Sequence, residues 1–456
     1  MFSQSGNRLV LALLLAAALA ARLTWSFLLP SDAQTISRLP DQAGYLEMAH
    51  NLLDGQGLVW YDLRFGQDTY AVRMPLYPLF LAACGGSVRI IRIVQAFLDT
   101  STVLAVYLLA RRWLTRGPSL FAAVLTAINP FLIYFSALIL TETLFTAMLL
   151  WAMVLLTSSI RSDLDVPLPD AEPTDAPAAP PIPQQQPLSI LWGGMLLAIA
   201  VLVRPSGLAL PLLLGLAATL ANPHAPILPL KRWPLPVGST MLLLTLLALL
   251  PWAFRNHNVL GQWIWTTTNG GFVAYDGFND QATGASDQSS LSSLEWRSRL
   301  LPLTEVQRNE VLTSSARQWA LQTLQTHPLR LLSLTASKIA RTWSPIPLSQ
   351  EYGSRPAYLW AALLYSIPFL LLVVLGVVIG VLPTPAKVLL LLPALYFTLI
   401  HALSVGSLRY RVPVEPILAV LAAAGAMVIL AGFQKPTWRR NTQPQRTNGI
   451  SDTEEP

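Results

Sequence analysis

Two neighbouring stretches decide how this chain is read: Leu9-Val-Leu-Ala-Leu-Leu-Leu-Ala-Ala-Ala-Leu-Ala-Ala-Arg22-Leu-Thr-Trp-Ser-Phe-Leu-Leu29, and Asp41-Gln-Ala-Gly-Tyr45-Leu-Glu47-Met-Ala-His50-Asn-Leu-Leu-Asp54-Gly55. The first is apolar for the ~20 residues a helix needs to cross a bilayer. Its one charge, Arg22, must snorkel or face the protein interior. In the second, Asp41, Tyr45, Met48, Ala49 and Leu52 recur at helical spacing, which leaves Glu47, His50 and Asn51 on other faces. Gly55 and Gly57 end it. The pair predicts a membrane helix followed by an amphipathic helix at the membrane surface, with a carboxylate at its start. Asp41 there is either a helix cap after Pro40 or a group able to meet both a lipid-borne and a soluble reactant.

The rest of the chain agrees with a membrane protein. Of 456 residues, 53% are hydrophobic and 12% charged, against roughly 25% charged in soluble domains. Apolar runs at 9–29, 88–110, 118–136, 140–158, 188–203, 207–221, 236–254, 358–382, 387–403 and 413–432 predict an all-α polytopic protein of about ten spans. Ala18-Leu-Ala20 resembles a leader cleavage site, but the apolar character resumes after Arg22, so the first helix is expected to be uncleaved. With ten spans and Arg8 inside, Arg111, Arg112, Arg116, Lys231, Arg232, Lys387 and the tail residues Lys435, Arg439, Arg440 and Arg446 all fall on the cytoplasmic side.

That orientation places residues 30–87 and 255–357 outside. Within them, 75–83 is too short to span and is expected along the interface, and 304–343 has the period of one or two amphipathic helices against the outer leaflet. Residues 161–187 are Pro-rich and acidic, a flexible cytoplasmic linker, and 433–456 form a polar tail expected to be disordered. The net charge of +6 is scattered over loops and forms no basic stripe, so nucleic acid is not expected as a partner.

The candidate chemistry lies at the membrane boundary. Glu142, in Leu140-Thr-Glu142-Thr-Leu-Phe145, stands at the outer junction of two spans, where a carboxylate is costly unless it faces a cavity or a partner. Arg204-Pro205-Ser206-Gly207 and Arg409-Tyr410-Arg411-Val412-Pro413 put arginines in short outer turns that normally avoid them. Guanidinium forks there suit the phosphate of a lipid headgroup; the alternative is pairing with Glu415 or with lipid phosphates in general. Arg73, Arg255, Lys338 and Arg341 are further candidates of the same kind. Asn269-Gly270-Gly271 and nearby aromatics could bind a sugar ring or simply make turns. There is no phosphate-cradling glycine loop and no nucleophile elbow. One cysteine, Cys84, excludes an intrachain disulfide and a thiolate cluster. His50, His224, His257, His327 and His401 lack metal-ligand spacing, although His401 could approach the outer turns.

Taken in order, Asp41 with Tyr45, Ala49, Leu52 and Gly55; Arg73 with Pro75, Leu76, Tyr77 and Pro78; Glu142; Arg204-Pro205; Pro251-Trp252 with Arg255-Asn256; Asn269-Gly270-Gly271; and Arg409-Tyr410-Arg411 with Pro413 and Glu415-Pro416 resemble the integral-membrane glycosyltransferases of the GT-C fold. The nearest likeness is to protein O-mannosyltransferases and aminoarabinose (lipid A) transferases. The resemblance covers about residues 9–432. It implies a GT-C-type helix bundle over residues 1–432 in the bacterial cytoplasmic membrane, with its active site on the extracytoplasmic side. Such a protein would move a sugar, with inversion, from a polyprenyl-phosphate carrier to a lipid, glycan or protein acceptor.

On this likeness Asp41 is the general base and Glu142 a second catalytic acidic position. Arg73, Arg204, Arg255, Lys338, Arg409 and Arg411 would hold the carrier phosphate, and Tyr45, Tyr77, Asn269 and Tyr410 would line the substrate site. No cofactor is implied, and a divalent metal is left open. The chain departs from many members in having Gln42 after Asp41 where they carry an Asp-Glu pair. The rival readings are a transporter or flippase for a lipid-linked substrate and a non-catalytic scaffold; matching half-helices that would favour a transporter are not seen in the sequence.

Overall fold

The computed structural model describes residues 4–158, 187–221, 237–348 and 356–430. The expected linker, the expected tail, and the basic residues Lys231, Arg232, Lys435, Arg439, Arg440 and Arg446 lie outside the described residues, apart from Pro187 at the linker's end.

The first apolar run is α1 (Gln4–Leu28). A short α2 (Ala33–Ser37), capped by Asp32, leads into α3 (Pro40–Leu53). A two-stranded hairpin follows, β1 (Trp60–Asp62) antiparallel to β2 (Gln67–Thr69), with Trp60 opposite Thr69 and Asp62 opposite Gln67. Then come α4 (Leu76–Ala83), α5 (Val88–Ala110), α6 (Arg116–Ala127), α7 (Pro130–Ser136) and α8 (Glu142–Ser158).

Helices α9 (Pro187–Val201) and α10 (Leu210–Ala221) flank the 3-10 turn Pro205–Gly207. The long α11 (Val237–Leu260) precedes a non-spanning region of α12 (Gly270–Gly277), α13 (Leu294–Leu300), α14 (Glu305–Thr326) and α15 (Pro328–Thr342). The chain returns through α16 (Pro356–Val378), α17 (Thr384–Ala402) and α18 (Glu415–Leu430), the last entered through 3-10 turns at Leu408–Tyr410 and Val412–Val414.

Each of the ten apolar runs contains helix, and among the described residues six helices are long and apolar enough to cross a membrane. The run at 118–136 is broken into α6 and α7, bent by 51°. The bend has a local cause: Pro130 cannot continue α6, and the Asn129 side chain caps the next helix by accepting from the backbone N–H groups of Phe131 and Leu132. Helices α8, α9 and α10 are shorter, at 17, 15 and 12 residues.

Lipid tails are as apolar as leucine, so these helices cannot rely on hydrophobic exclusion to find one another and use close backbone approach instead. In α16 and α18 a Cβ built on Gly376 would fall 1.9 Å from the Leu421 carbonyl oxygen, and one on Gly425 2.1 Å from that of Leu372. Only glycine fits at either place. Residues 415–425 are buried throughout, which makes α18 the central post against which the 408–414 turns are held.

The two short helices expected at the membrane surface each pack one face against protein. α3 buries Gln42, Tyr45, Met48 and Ala49, and meets α4 through an edge-to-face contact of Tyr45 with Tyr77 at 4.9 Å. The piece at 75–83, expected along the interface, likewise buries Tyr77, Pro78 and Leu81. The protein that covers this face of α3 is α4 and the bundle core behind it.

Arg22 faces the interior. It is fully buried, pairs with Asp99 on α5 at 2.5 Å, and donates to the carbonyls of Ala18, Thr126 and Ala127. Removing one member of such a pair leaves a buried charge without compensation. Arg22→Leu alone is therefore expected to destabilise the protein by about 3–5 kcal/mol, and Arg22→Leu with Asp99→Leu to recover most of that loss. Thermal unfolding of the detergent-solubilised variants measures both.

Candidate active site

The site is built from five separate pieces of chain. Asp41 stands in the first turn of α3, and its helix is capped by neither its own side chain nor that of Leu39. The carboxylate is instead shared between two arginines. Oδ1 accepts from Arg73 Nη2 at 2.5 Å and Oδ2 from Arg409 Nη1 at 2.7 Å.

Arg409 turns its Nε to Glu142 Oε1, and Arg204 Nη1 lies 3.2 Å from the same oxygen. Three guanidinium groups thus share two carboxylates. Side-chain exposure falls along the chain of contacts, from 31% at Asp41 through 19% at Arg409 to none at Glu142. The Arg73 guanidinium holds the Asp41 carboxyl well below the usual carboxylate range; burial opposes this and Arg409 adds to it.

Aromatic rings fix the arginines. Arg73 lies over Tyr45 at 5.2 Å, and Arg204 lies 5.9 Å from both Phe145 and Tyr410. Tyr410 in turn stacks on His401 at 3.7 Å with an interplanar angle of 2°. His401 therefore reaches the site as the backing of Tyr410.

The position of Arg73 is set from outside its own loop. Glu305, the first residue of α14, accepts from the backbone N–H groups of Tyr70 at 2.6 Å and Ala71 at 3.0 Å. Arg255 donates to the carbonyls of Tyr70 and Leu58. Leu76 N–H bonds the Leu202 carbonyl, which brings the Arg73 loop beside Arg204. Gln42, the departure after Asp41, accepts from Ile139 N–H at 2.8 Å and meets the Ile36 carbonyl. An amide can both donate and accept there, which a carboxylate cannot.

Asp41, Arg73, Arg409, Asn269 and Tyr410 line one cavity of about 1220 Å³. Its apolar part carries Trp25, Phe131, Tyr134, Leu348 and Tyr358; its polar part carries Glu47, Trp60, Asp62, Arg64 and Gln288. The other sequence candidates stand elsewhere. Glu142 and Arg204 lie behind Arg409, and Tyr45 and Tyr77 lie behind Arg73, where Tyr77 donates to Gln95.

Three candidates for phosphate binding are corrected. Arg411, buried beneath the turn, bonds Glu415 at 2.7 Å, the Ser344 carbonyl and Ser366, so its charge is spent on the core. Arg255 is a clamp on the loop at 58 and 70. Lys338 is buried against Phe278, its nitrogen 3.7 Å from the ring centre, and burial lowers its ammonium group to about 8. The Asn-Gly-Gly stretch also has a packing reason: a Cβ on Gly271 would fall 2.3 Å from the Asn309 carbonyl oxygen of α14.

The donor set does not suit a divalent ion. Asp41 and Glu142 already share three guanidinium groups, and among the described residues no group of three His, Cys, Asp or Glu side chains converges.

No protein-family model matches the chain, and no curated protein matches it in sequence. Two of the solved structures that share its fold are archaeal oligosaccharyltransferases. One is the Archaeoglobus fulgidus oligosaccharyltransferase tethered to an acceptor peptide containing the NVT sequon, at 14% identity and a TM-score of 0.50. The other is the archaeal oligosaccharyltransferase AglB from Archaeoglobus fulgidus in complex with an inhibitory peptide and a dolichol-phosphate, at 14% identity and a TM-score of 0.51. Each alignment covers 92% of this chain and 50% of the solved one, so this chain spans about half the length of those proteins. The fold is thus a helical membrane bundle of the GT-C type.

Arg409 and Arg411, two residues apart, make opposite predictions. Arg411→Ala strands Glu415 in the core and is expected to cost about 3–5 kcal/mol, seen as a large drop in the unfolding temperature. Arg409→Ala, at the cavity wall, is expected to change that temperature far less, because Glu142 keeps Arg204 3.2 Å away, as the same unfolding measurement checks.

Proposed function

We propose that this protein is a membrane glycosyltransferase that moves a sugar from a polyprenyl-phosphate carrier to an acceptor hydroxyl on a lipid, glycan or protein. The observation that carries the reading is Asp41 held between Arg73 and Arg409 at the wall of a cavity lined by both aromatic and charged side chains. The guanidinium groups of Arg73 and Arg409 at the cavity wall suit the negative charge of a phosphodiester. The aromatic lining, with Trp25, Tyr134 and Tyr358, suits an isoprenoid chain. The fold shared with enzymes whose solved complexes include an acceptor peptide and a dolichol-phosphate supports the same reading.

The ion pairs define the order of events. A phosphate entering the cavity competes for Arg73 and Arg409, since guanidinium groups bind phosphate oxygens in paired geometry. Asp41 is thereby released toward the acceptor. The acceptor oxygen attacks the anomeric carbon on the face opposite the phosphate and loses its proton to Asp41, while the anomeric carbon–oxygen bond to phosphate breaks. The departing polyprenyl phosphate gains negative charge, which the arginines stabilise. Attack from the opposite face inverts the anomeric centre. Glu142 acts here as a positioning residue: it holds Arg409 and Arg204 from behind and touches no reactant.

Asp41→Asn is expected to leave a folded protein with transfer activity reduced by at least about a hundredfold, assayed with labelled undecaprenyl-phosphate sugars. Wild-type-like transfer by Asp41→Asn would remove Asp41 as the base. Vectorial movement of the lipid without transfer or hydrolysis would favour the transporter.

The pH dependence follows from the sign of the Asp41 shift. A depressed carboxyl stays ionised until the pH falls through its folded value, and its ion pairs are lost only there. The kcat/KM profile, which reports the free enzyme, is expected to show no carboxylate limb between about pH 5 and about pH 8. The kcat profile is expected to show its acid limb at higher pH than the kcat/KM profile, because bound phosphate has drawn the arginines away.

A further inference from the structure

The hairpin β1–β2 has entered so far only as cavity lining, and it is fastened to α3 around a single side chain. Asn51 of α3 donates to the Val59 carbonyl at 2.9 Å, and Glu47 of α3 accepts from the Tyr61 N–H at 2.9 Å. Between them, the Trp60 carbonyl accepts from the Thr69 hydroxyl at 2.7 Å. The backbone on both sides of Trp60 is thus pinned to one helix.

The indole then lies over a helix position that has no side chain. A Cβ built on Gly44 would stand 3.3 Å from Trp60 Nε1 and 3.5 Å from Cε2, so glycine there lets the ring rest on the helix backbone. Gly44 is one turn beyond Asp41. Asp41, Gly44 and Glu47 all line the cavity, and at 1.5 Å rise per residue the two carboxyl-bearing positions are about 9 Å apart along the helix, with the indole between them. The far side is closed by Asp62, which grips Arg64, and by Gln288, which accepts from Arg64 at 3.0 Å.

An aromatic face flanked by carboxylates and an amide fits a sugar ring. The C–H face of a pyranose is apolar and stacks on an indole, and its edge hydroxyls need acceptors and donors in the plane of the ring. Resting on the transferase reading above, we propose that Trp60 is the platform of the sugar subsite, stacking one pyranose ring beside Asp41 with Gly44 as its seat and Glu47 meeting the ring hydroxyls. The ring belongs to the donor or to the acceptor, and the two sources share this chemistry.

The test compares full-length wild-type, Trp60→Ala, Trp60→Phe and Gly44→Ala proteins in nanodiscs. The probes are undecaprenyl phosphate alone, undecaprenyl-phosphate mannose, glucose and galactose, and the methyl pyranosides of the same sugars. For a donor ring, wild type binds one sugar-bearing carrier more tightly than the bare carrier. Trp60→Ala then loses roughly three- to tenfold of that preference and leaves affinity for the bare carrier unchanged. Trp60→Phe keeps most of the preference, and Gly44→Ala loses part of it by displacing the indole.

If Trp60→Ala keeps the carrier preference and weakens a methyl pyranoside by the same factor, the stacked ring is the acceptor's. Equal weakening of bare and sugar-bearing carriers overturns the assignment, because Trp60 then only supports the fold. So does a wild type that ignores the sugar on either kind of probe, or a Trp60→Ala protein that matches wild type on all of them. A wild type that binds no carrier at all overturns the transferase reading itself, and is told apart from these by the bare-carrier measurement.

Discussion

Asp41, Arg73, Arg409, Glu142 and Arg204 form one continuous run of ion pairs from the cavity wall to the protein interior, and the architecture around them is organised to keep those charges compensated. In a low-dielectric interior a lone guanidinium or carboxylate is far more costly than a paired one. Each of the five groups comes from a different part of the chain, so the compensation requires all those parts to be in register at once. The result is a site in which Arg73 and Arg409 reach the cavity wall together with the carboxylate they hold.

The packing around the relay serves placement. Glycines at 376 and 425 let α16 and α18 approach to backbone contact, and the turns before α18 carry Arg409 toward the cavity. Glu305 and Arg255 hold the same residue, Tyr70, by its N–H and its carbonyl, which fixes the loop three residues before Arg73. Gln42 ties the start of α3 to Ile36 and Ile139, on either side of Asp41 in space. These are ordinary buried hydrogen bonds, each worth on the order of 1 kcal/mol. Their combined effect is to leave the reacting groups little freedom to relax apart.

Much of this was legible in the sequence wherever charge and hydropathy decide the outcome locally. A carboxylate after the first apolar run, arginines in short turns where arginine is avoided, and Glu142 at a helix start all marked positions that end in one cluster. What the sequence could not separate was Arg409 from Arg411. Both sit in the same short turn before Glu415, but the 3-10 geometry sends one side chain to Asp41 and the other down to Glu415. Arg255 and Lys338 looked like phosphate ligands for the same reason, since a basic residue at a membrane boundary reads identically whether it meets a lipid or a carbonyl. Trp60 and Arg64 gave no signal, because a short hairpin of mixed residues has no periodicity to distinguish it from a loop.

The sequence by itself determined that the chain is a helical membrane protein, roughly where its apolar helices lie, and which ionisable residues are too expensive to be there without a purpose. Those follow from the cost of moving each residue from water to hydrocarbon, a property of the residue and its immediate neighbours. Only the tertiary structure decided which charges pair, which of them reach the cavity, and which face of α3 packs against protein. Those depend on distances between segments far apart in the chain, and the same arginine is a ligand, a clamp or a core ion pair according to what the fold sets opposite it.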